Sequence, residues 1–324
     1  MQWHANWIRP AKSYGGVCPA FRKTFFCPEN VVSAALRITA MGVYEASLNG
    51  SRVGDFILAP GWTVYQKRLQ VQQYELQIRP GQENELTVLV GKGWYRGRLA
   101  GWLPGQNSSA ALPAALTAEL TLRYPDGHTD TICTDASWQT AESAVRFSEL
   151  YDGETYDAAF EPSVWTPAVI CDGPTDTLIE QQGEPVREQE RIAPARIFKT
   201  PAGETQYWVY GKYVEIALDG VKGEAVELSH AEVLDKNGNF YTENYRSAKA
   251  KYLYFCKDGA QRYKPKLTFY GFRYIRVDRF PCGAEHAAQE NFTAIAVHSD
   301  MKRTGYLSCS DPLLNKLFEN VIWG

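Results

Sequence analysis

The sequence has no excess of charge of one sign and no long hydrophobic run. Its 324 residues include 34 Lys and Arg against 37 Asp and Glu, which leaves a net charge of -3. A chain so nearly balanced has no bulk field with which to attract a polyanion, so binding to nucleic acid or to an anionic membrane surface is not expected. No apolar stretch approaches the ~20 residues that would span a bilayer. The 44% hydrophobic and 22% charged residues indicate an ordinary folded, soluble protein.

The cysteines form no close pairs. There are seven, an odd number, and they lie far apart at positions 18, 27, 133, 171, 256, 282 and 309. This spacing fits reduced thiols better than it fits a disulfide framework or a zinc site. The first residues, 1–7, contain no basic segment followed by an apolar run, so they do not resemble a secretory signal. We therefore expect reduced thiols in a cytoplasmic protein, although a chain from which a signal had been removed would start in the same way.

The familiar catalytic motifs are also absent. The sequence contains no Gly-x-Ser-x-Gly elbow, no His-Glu-x-x-His helix and no Walker loop. Its 5 histidines stand too far apart in sequence to form a metal-binding spacing. The Gly-rich segment 91–97 superficially resembles a dinucleotide loop, but its spacing is wrong and no helical pattern follows it. A glycosidase needs only two carboxylates about 5 to 10 Å apart, and sequence spacing cannot locate such a pair.

Aromatic residues are abundant, and they accompany a repeated strand pattern. The 9 Trp, 19 Tyr and 14 Phe suit strands, and their rings also offer flat faces on which sugars can stack. Asn49-Gly50 and Pro125-Asp126-Gly127 are typical hairpin turns. Short alternating segments bounded by Pro, Asn or Gly lie at 21–26, 31–39, 42–48, 72–78, 85–90, 116–124 and 129–133. The pattern predicts a β-sandwich in which most of the rings are core residues.

A proline-rich stretch separates two strand-rich blocks. Between 162 and 202 the alternation weakens and prolines gather, which predicts an extended connector with one or two edge strands. Further strand patterns between 207 and 297 predict a second sandwich, and the length fits two domains at roughly 150 residues each. We therefore predict an all-β fold of two tandem, jelly-roll-like β-sandwiches with a short C-terminal helix. The predicted boundaries are 1–170, 171–202, 203–300 and 301–324.

The last fifteen residues have a helical period. Ser310 can cap a helix and Pro312 suits its first turn. Apolar residues recur on one broad face, at Leu313, Leu314, Leu317, Phe318, Val321 and Ile322. So much apolar surface needs a partner. We expect the helix either to pack on the second sandwich or to be the first helix of a further domain.

Two segments contain the candidate site residues. The first presents Trp94, Tyr95 and Arg96, with Trp102 nearby, as rings and a guanidinium that could hold a sugar. A loop folded under the sandwich by its own aromatic rings is the alternative. The second segment, 149–157, holds the carboxylates of Glu149, Asp152, Glu154 and Asp157. It could bind calcium, which in turn can hold sugar hydroxyls, whereas a solvated acidic turn is the alternative.

A series of motifs in a fixed order resembles the bacterial α-L-rhamnosidases. In the first block the matching segments are 21–25, 38–45, 48–55, 58–63, 93–97 and 151–158. In the second block, 230–235, 244–246 and 269–274 are similar to the sandwich that precedes the family's catalytic domain. Segments 305–311 and 313–315 resemble the entry into that domain, an (α/α)6 barrel. One departure is the family's Asp-x-Gly-Gln-Asn stretch, whose Gln-Asn pair is absent from 207–216.

The resemblance implies which part of an enzyme this chain would supply. In the family, the carboxylates that hydrolyse the rhamnoside by inversion lie in the barrel, so no catalytic residue is assigned here. The chain would be the accessory part of an enzyme that releases terminal α-L-rhamnose. It would contain a galactose-binding-like sandwich, a connector, a second sandwich and the start of the barrel, whose remainder would be the intramolecular partner. A related module in the family binds rhamnose through calcium, so calcium is the one cofactor suggested and none is required.

Two other functions fit the same sequence. Trp94, Tyr95 and the acidic segment could belong to a free-standing carbohydrate-binding module. Alternatively, both sandwiches could be purely structural spacers. The expected ligand of a binding protein here is a rhamnose-containing glycoside or another carbohydrate, and neither nucleic acid nor a membrane is an expected partner.

Overall fold

The strands of this protein form sheets that pack in pairs. The structure, a computed structural model, describes residues 2–98 and 113–323. Apart from short 3-10 turns, the helices among these residues are α1 (Gly93–Arg96) and α2 (Pro312–Trp323). No helix in this part of the chain is long and apolar enough to cross a membrane. The predicted all-β fold of two tandem, jelly-roll-like sandwiches with a short C-terminal helix is confirmed.

The first sandwich consists of two sheets. One contains β1 (Trp7–Arg9), β3 (Ser33–Met41), β6 (Leu69–Glu75), β8 (Ala115–Arg123), β9 (Thr129–Cys133), β14 (Val169–Cys171) and β15 (Leu178–Glu180). Its order is β14-β1-β8-β3-β6-β15, with β9 paired to β8. The other contains β2 (Pro19–Cys27), β4 (Val43–Leu48), β5 (Ser51–Arg52), β7 (Gln82–Gly91), β10 (Gln139–Glu142) and β13 (Thr166–Pro167). Its order is β13-β10-β2-β7-β4-β5.

Alternating apolar residues build the core between these two sheets. Successive side chains of a strand point to opposite faces, so every second residue meets the facing sheet. Leu36 and Ile38 of β3 and Leu86 and Val88 of β7 are buried in this way. Trp138 is also fully enclosed in the same cluster. The strand pattern of the sequence therefore corresponds to one face of each sheet.

Both hairpins expected from turn residues are present. Asn49 and Gly50 join β4 to β5 with φ angles of 52° and 80°. Asn and Gly tolerate the positive φ that a two-residue turn between strands requires. The Pro125-Asp126-Gly127 turn joins β8 to β9, and Arg123 lies opposite Thr129 across that pair.

The second sandwich also has two sheets. One contains β11 (Val145–Glu149), β12 (Gly153–Asp157), β17 (Arg196–Lys199), β18 (Thr205–Gly211), β20 (Ala225–Ala231), β23 (Lys251–Phe255) and β25 (Phe272–Arg279). Its order is β11-β12-β23-β20-β25-β18-β17. The other contains β16 (Val186–Ile192), β19 (Tyr213–Gly220), β24 (Gly259–Tyr263) and β26 (Phe292–Ser299) in the order β16-β26-β19-β24. A small hairpin pairs β21 (Val233–Leu234) with β22 (Phe240–Tyr241).

The division between the sheets does not follow the boundaries predicted at residues 170 and 203. Strands β11 and β12 precede residue 170 but belong to the second sandwich, where β12 pairs with β23 in parallel. The predicted connector 171–202 contributes β15 to the first sandwich and β16 and β17 to the second. Strand β16 shows no alternation because it is an edge strand without buried residues, so polar side chains fill most of its length.

A buried apolar cluster joins the two sandwiches. This junction cluster contains Cys18, Val43, Ile57, Leu58, Val145, Tyr213, Leu267, Ile295 and Val297. Across the same boundary the Lys266 ammonium lies 2.7 Å from a Glu45 carboxylate oxygen. A Cβ at Gly91 would lie only 2.9 Å from the Cβ of Leu267, so glycine permits the close approach. Apolar burial and an ion pair therefore act together at this junction.

Helix α2 is capped one residue later than predicted. The Asp311 carboxylate accepts a hydrogen bond from the Leu313 backbone N–H at 2.8 Å. Asp311 rather than Ser310 thus satisfies the free backbone donor at the start of the helix, and the prediction for Ser310 is wrong. The helix has no buried residue, and Leu313 is 77% exposed. Its Trp323 ring meets Tyr210 of β18 edge-on, with 5.5 Å between the ring centroids.

Replacing Gly153 should test the parallel pairing of β12 with β23. Gly153 has a φ of +108°, and a Cβ there would lie 1.7 Å from the Lys251 carbonyl oxygen. We expect Gly153→Ala to lower the free energy of unfolding by ~3 kcal/mol, because the backbones must move apart. Chemical denaturation measures this loss.

The matched control is Gly127→Ala. Gly127 has a φ of +88°, and no atom lies within 4 Å of the point that a Cβ would occupy there. That variant should lose only ~1 kcal/mol through backbone strain. Equal losses in the two variants would contradict the contact between β12 and β23.

Candidate functional site

Helix α1 positions the first group of predicted site residues. The chain leaves β7 at Gly91 and turns at Gly93, which has a φ of +54°. A Cβ at Gly93 would lie 2.5 Å from a methyl carbon of Val43. Only glycine fits there without displacing its neighbour, so the start of α1 lies directly against β4.

Trp94 and Tyr95 pack against different parts of the protein. The Trp94 ring lies beside the junction cluster, with 6.3 Å between its centroid and that of Phe269. Tyr95 stands edge-on to Tyr65 at 5.0 Å, beside a separate cluster that includes Trp7. Both rings are partly buried, and they do not form one continuous surface on which a sugar could stack. This packing supports the alternative in which the loop is folded under the sandwich by its own aromatic rings.

Arg96 and Trp102 complete the predicted sugar-binding group. Burial lowers the pKa of the Arg96 guanidinium, against the opposing effects of Cys18 and Tyr95. Trp102 lies outside the described residues. A role for the four residues in sugar binding stays a prediction.

The acidic segment lies beside α1, which the sequence did not reveal. Glu149 accepts hydrogen bonds from the backbone N–H groups of Arg98 at 2.8 Å, Tyr151 at 2.7 Å and Asp152 at 3.1 Å. The Arg98 guanidinium lies 2.6 Å from an Asp152 carboxylate oxygen. The two predicted sites therefore meet at Arg98, where the carboxylates hold the chain that follows α1.

Among the four predicted calcium ligands, Glu149 and Asp152 share Arg98 as a partner, whereas the other two have partners of their own. Asp157 accepts a hydrogen bond from the Ala159 backbone N–H at 3.0 Å, away from the Arg98 contacts. Glu154 lies inside the second sandwich. Across residues 2–98 and 113–323, no group of three or more His, Cys, Asp and Glu side chains could hold a metal ion. Calcium binding by this segment stays a prediction.

Glu154 is a buried carboxylate with several hydrogen-bond donors. It accepts hydrogen bonds from the Tyr263 hydroxyl at 2.6 Å, from the Leu267 backbone N–H at 3.0 Å and from the Lys266 backbone N–H at 3.1 Å. Burial raises the pKa of Glu154 to about 7, and these hydrogen bonds oppose the rise. The carboxylate therefore anchors the chain from Tyr263 to Leu267.

A groove on the first sandwich contains an exposed tryptophan that was not among the predicted site residues. The groove has a volume of about 530 Å³ and lies between the loop that precedes β6 and the segment around β15. Trp62 is 60% exposed and Val64 is 53% exposed. The lining residues are Trp62, Thr63, Val64, Arg68, Gln70, Ile179, Gln182 and Gly183.

Hydrogen bonds hold both walls of the groove in place. The Gln70 side chain donates to the Pro60 carbonyl at 3.1 Å and accepts from the Gln182 backbone N–H at 2.8 Å. The Tyr65 hydroxyl donates to the Gly61 carbonyl at 3.2 Å. These contacts fix the loop while the Trp62 ring faces solvent. The sequence feature that indicates the exposure of Trp62 is the preceding dipeptide Pro60-Gly61, which is typical of a turn in a surface loop.

Two models of protein families match the chain. Residues 29–190 match the alpha-L-rhamnosidase N-terminal domain, and residues 209–298 match the bacterial alpha-L-rhamnosidase concanavalin-like domain. The chain belongs to the bacterial α-L-rhamnosidase family. The resemblance seen in the ordered motifs is thereby confirmed.

Individual rhamnosidases align with nearly the whole chain. An α-L-rhamnosidase of Streptomyces avermitilis is 35% identical over 97% of this chain and 32% of its own length. One from an Alteromonas strain is 33% identical over 100% of this chain and 38% of its own length. The chain thus spans about a third of the length of these curated relatives.

Solved rhamnosidase structures have the same fold in the matching region. The native α-L-rhamnosidase of Aspergillus terreus superposes with a TM-score of 0.89 and 34% identity, over 98% of this chain and 39% of that one. The Streptomyces avermitilis enzyme complexed with L-rhamnose superposes with a TM-score of 0.85 and 33% identity, over 95% of this chain and 31% of that one. Both sandwiches of this rhamnosidase family member therefore have counterparts in solved enzymes.

The raised pKa of Glu154 should make stability depend on pH. Its pKa is about 7 in the folded chain and near 4.5 when exposed, so the folded state binds the proton more tightly. The contribution of Glu154 to stability is therefore complete below pH ~4.5 and is lost as the pH rises through ~7. We expect Glu154→Gln to flatten the fall in melting temperature between pH 5 and about 8.

Thermal unfolding at several pH values measures this profile. Glu161, which is exposed, provides the control, because Glu161→Gln removes a carboxylate without changing a buried one. Identical profiles for the Glu154→Gln variant and the unaltered chain would show that Glu154 does not titrate in this range.

Proposed function

We propose that this chain is the non-catalytic, β-sandwich portion of an α-L-rhamnosidase, which supports a helical catalytic unit and contacts carbohydrate. The whole protein would release terminal α-L-rhamnose by inverting hydrolysis. In that mechanism one carboxylic acid protonates the leaving oxygen and one carboxylate activates water. In this proposal neither the acid nor the base is a carboxylate of this chain.

The exposed apolar face of α2 is the observation that carries the proposal. Its apolar side chains lie in solvent, with Leu317 57% and Val321 67% exposed. Trp208 and Tyr210 of β18 are also exposed. They occupy alternate positions of the strand, so both side chains lie on the same face of the sheet. On that face the Tyr210 ring contacts Trp323 of α2. A contiguous apolar surface of this kind is typical of a binding interface. A helical catalytic unit would cover it by packing against α2.

The groove at Trp62 supports the carbohydrate part of the proposal. Sugar sites combine aromatic or apolar surface with a few polar groups that bind hydroxyls. Trp62, Arg68 and Gln182 offer both kinds of group in one groove. The rhamnose complex of the Streptomyces relative shows that a protein of this family binds the sugar.

The cysteines support a reducing compartment. All seven, which fall within the described residues, are free thiols, and Cys282 and Cys309 are exposed. Unpaired surface thiols persist where the medium keeps them reduced. We therefore propose that the protein works in the cytoplasm.

An assay of turnover tests the non-catalytic role. The 324-residue chain, incubated with an aryl α-L-rhamnoside, should release no phenol above the rate without protein. The physical reason is that hydrolysis needs an acid and a base placed on either side of the glycosidic bond, and the proposal places both in the helical unit. Hydrolysis that increases with the concentration of this chain would overturn the proposal.

Calorimetric titration with L-rhamnose tests the binding role. We expect heat of binding at millimolar sugar. Repeating the titration with calcium and with a chelator tests the calcium prediction, since a calcium-held sugar would be released by the chelator. The absence of heat in both solutions, together with no turnover, would instead favour purely structural spacer domains.

A further inference from the structure

Two tyrosines of the second sandwich are fully enclosed, and their hydroxyl groups lack a protein partner. Tyr213, the first residue of β19, is 1% exposed, and Tyr252 of β23 is 0% exposed. Within residues 2–98 and 113–323, no group forms a hydrogen bond with either hydroxyl. A buried hydroxyl without a hydrogen bond destabilises a folded protein, so such groups are nearly always satisfied by protein or by ordered water. Each of the two hydroxyls therefore indicates a polar molecule bound beside it.

Other tyrosine hydroxyls of the same core are paired with protein groups. The Tyr263 hydroxyl donates to the Glu154 carboxylate at 2.6 Å. The Tyr270 hydroxyl donates to the Lys251 carbonyl at 2.9 Å and accepts from the Glu154 backbone N–H at 3.1 Å. The core thus satisfies these two hydroxyls directly, and the unpartnered ones are exceptions beside them.

The Glu154 carboxylate is the polar group that both unpartnered hydroxyls have in common. Glu154 of β12 lies opposite Tyr252 in the parallel pair with β23, so the two side chains point to the same face of the sheet. Tyr213 belongs to the junction cluster together with Leu267, whose backbone N–H donates to Glu154 at 3.0 Å. Burial and, after it, the charge of Glu154 raise the pKa of both tyrosines, in agreement with short distances to the carboxylate.

The Glu154 carboxylate has room for one more donor. An ionised carboxylate offers about four acceptor sites. The Tyr263 hydroxyl and the backbone N–H groups of Lys266 and Leu267 fill three of them. A water molecule can donate to the fourth site and accept hydrogen bonds from two hydroxyls at the same time. That makes about three hydrogen bonds, which is the number typical of a buried water.

We propose that one buried water molecule bridges Glu154, Tyr213 and Tyr252. The water donates a hydrogen bond to the carboxylate and accepts one from each hydroxyl, so that all three side chains are satisfied. It connects a residue of the junction cluster to the core of the second sandwich, and it stabilises the contacts between β12, β19 and β23. This water site does not depend on the proposed function, because it involves neither a sugar nor a catalytic group.

A high-resolution crystal structure of the chain tests the site directly. It should show a water oxygen within ~3.2 Å of a Glu154 carboxylate oxygen and of the hydroxyl oxygens of Tyr213 and Tyr252. Electron density in which the two hydroxyls bond to protein groups, or contact only apolar atoms, would overturn the proposal.

Substitution by phenylalanine distinguishes a bridged hydroxyl from an unsatisfied one. Tyr213→Phe and Tyr252→Phe should each raise the equilibrium constant for unfolding about fivefold, because a hydrogen bond to the water is lost. Chemical denaturation measures this constant. The matched control is Tyr254→Phe, since the Tyr254 hydroxyl donates directly to the Gln261 side chain at 2.9 Å and its loss should have a similar effect. If the first two variants are instead more stable than the unaltered chain, their hydroxyls are unsatisfied and the water site does not exist.

The double variant tests whether the two tyrosines share one water. Both bonds end on the same molecule, so the loss of one changes how firmly the other is held. The effects of Tyr213→Phe and Tyr252→Phe on the unfolding constant should therefore not multiply, and the combined effect should differ from their product by at least about twofold. A combined effect equal to the product would show that the two hydroxyls are satisfied separately, which contradicts a shared water.

Discussion

The joining of the two sandwiches depends on one constraint. The buried Glu154 carboxylate accepts hydrogen bonds from the backbone N–H groups of Lys266 and Leu267. A buried carboxylate requires donors, so the chain that supplies them must keep one conformation. That conformation directs the Leu267 side chain into the junction cluster against Gly91 and brings the Lys266 ammonium to Glu45. One buried carboxylate of the second sandwich therefore determines how a loop of that sandwich meets the first.

The same junction decides which aromatic residues are free for a ligand. Phe269 follows the anchored loop and packs beside Trp94, so the ring that the sequence favoured for sugar binding contributes to the junction. Tyr95 is engaged by Tyr65. The loop that contains Tyr65 instead exposes Trp62, and the polar contacts of Gln70 keep it in that position. One loop thus contributes the Trp94 ring to the junction, and another exposes the Trp62 ring to solvent.

Much of the fold was predictable because the elements concerned depend on local chemistry. The turn at Asn49 and Gly50 needs positive φ angles, which the residues themselves permit, and the alternation in β3 follows from the geometry of a strand. The family motifs were equally visible in the sequence. Strand β12 was not predicted to join the second sandwich, because its parallel partner β23 lies about a hundred residues later, beyond any local pattern. Strand β16 lies in the stretch where one or two edge strands were predicted, but its bounds could not be predicted because none of its residues is buried.

The sequence by itself determined the all-β class, the position of the apolar helix α2 and membership of the rhamnosidase family, since each depends on the order and spacing of residues. Only the tertiary structure decided the environment of individual side chains. Glu149 and Glu154 belong to the same acidic segment, but one holds the chain after α1 and the other meets Leu267, 113 positions away. Burial and hydrogen bonding depend on residues that the fold brings together from distant parts of the chain. For that physical reason the partners of a carboxylate and the exposure of Trp62 could not be obtained from neighbouring residues alone.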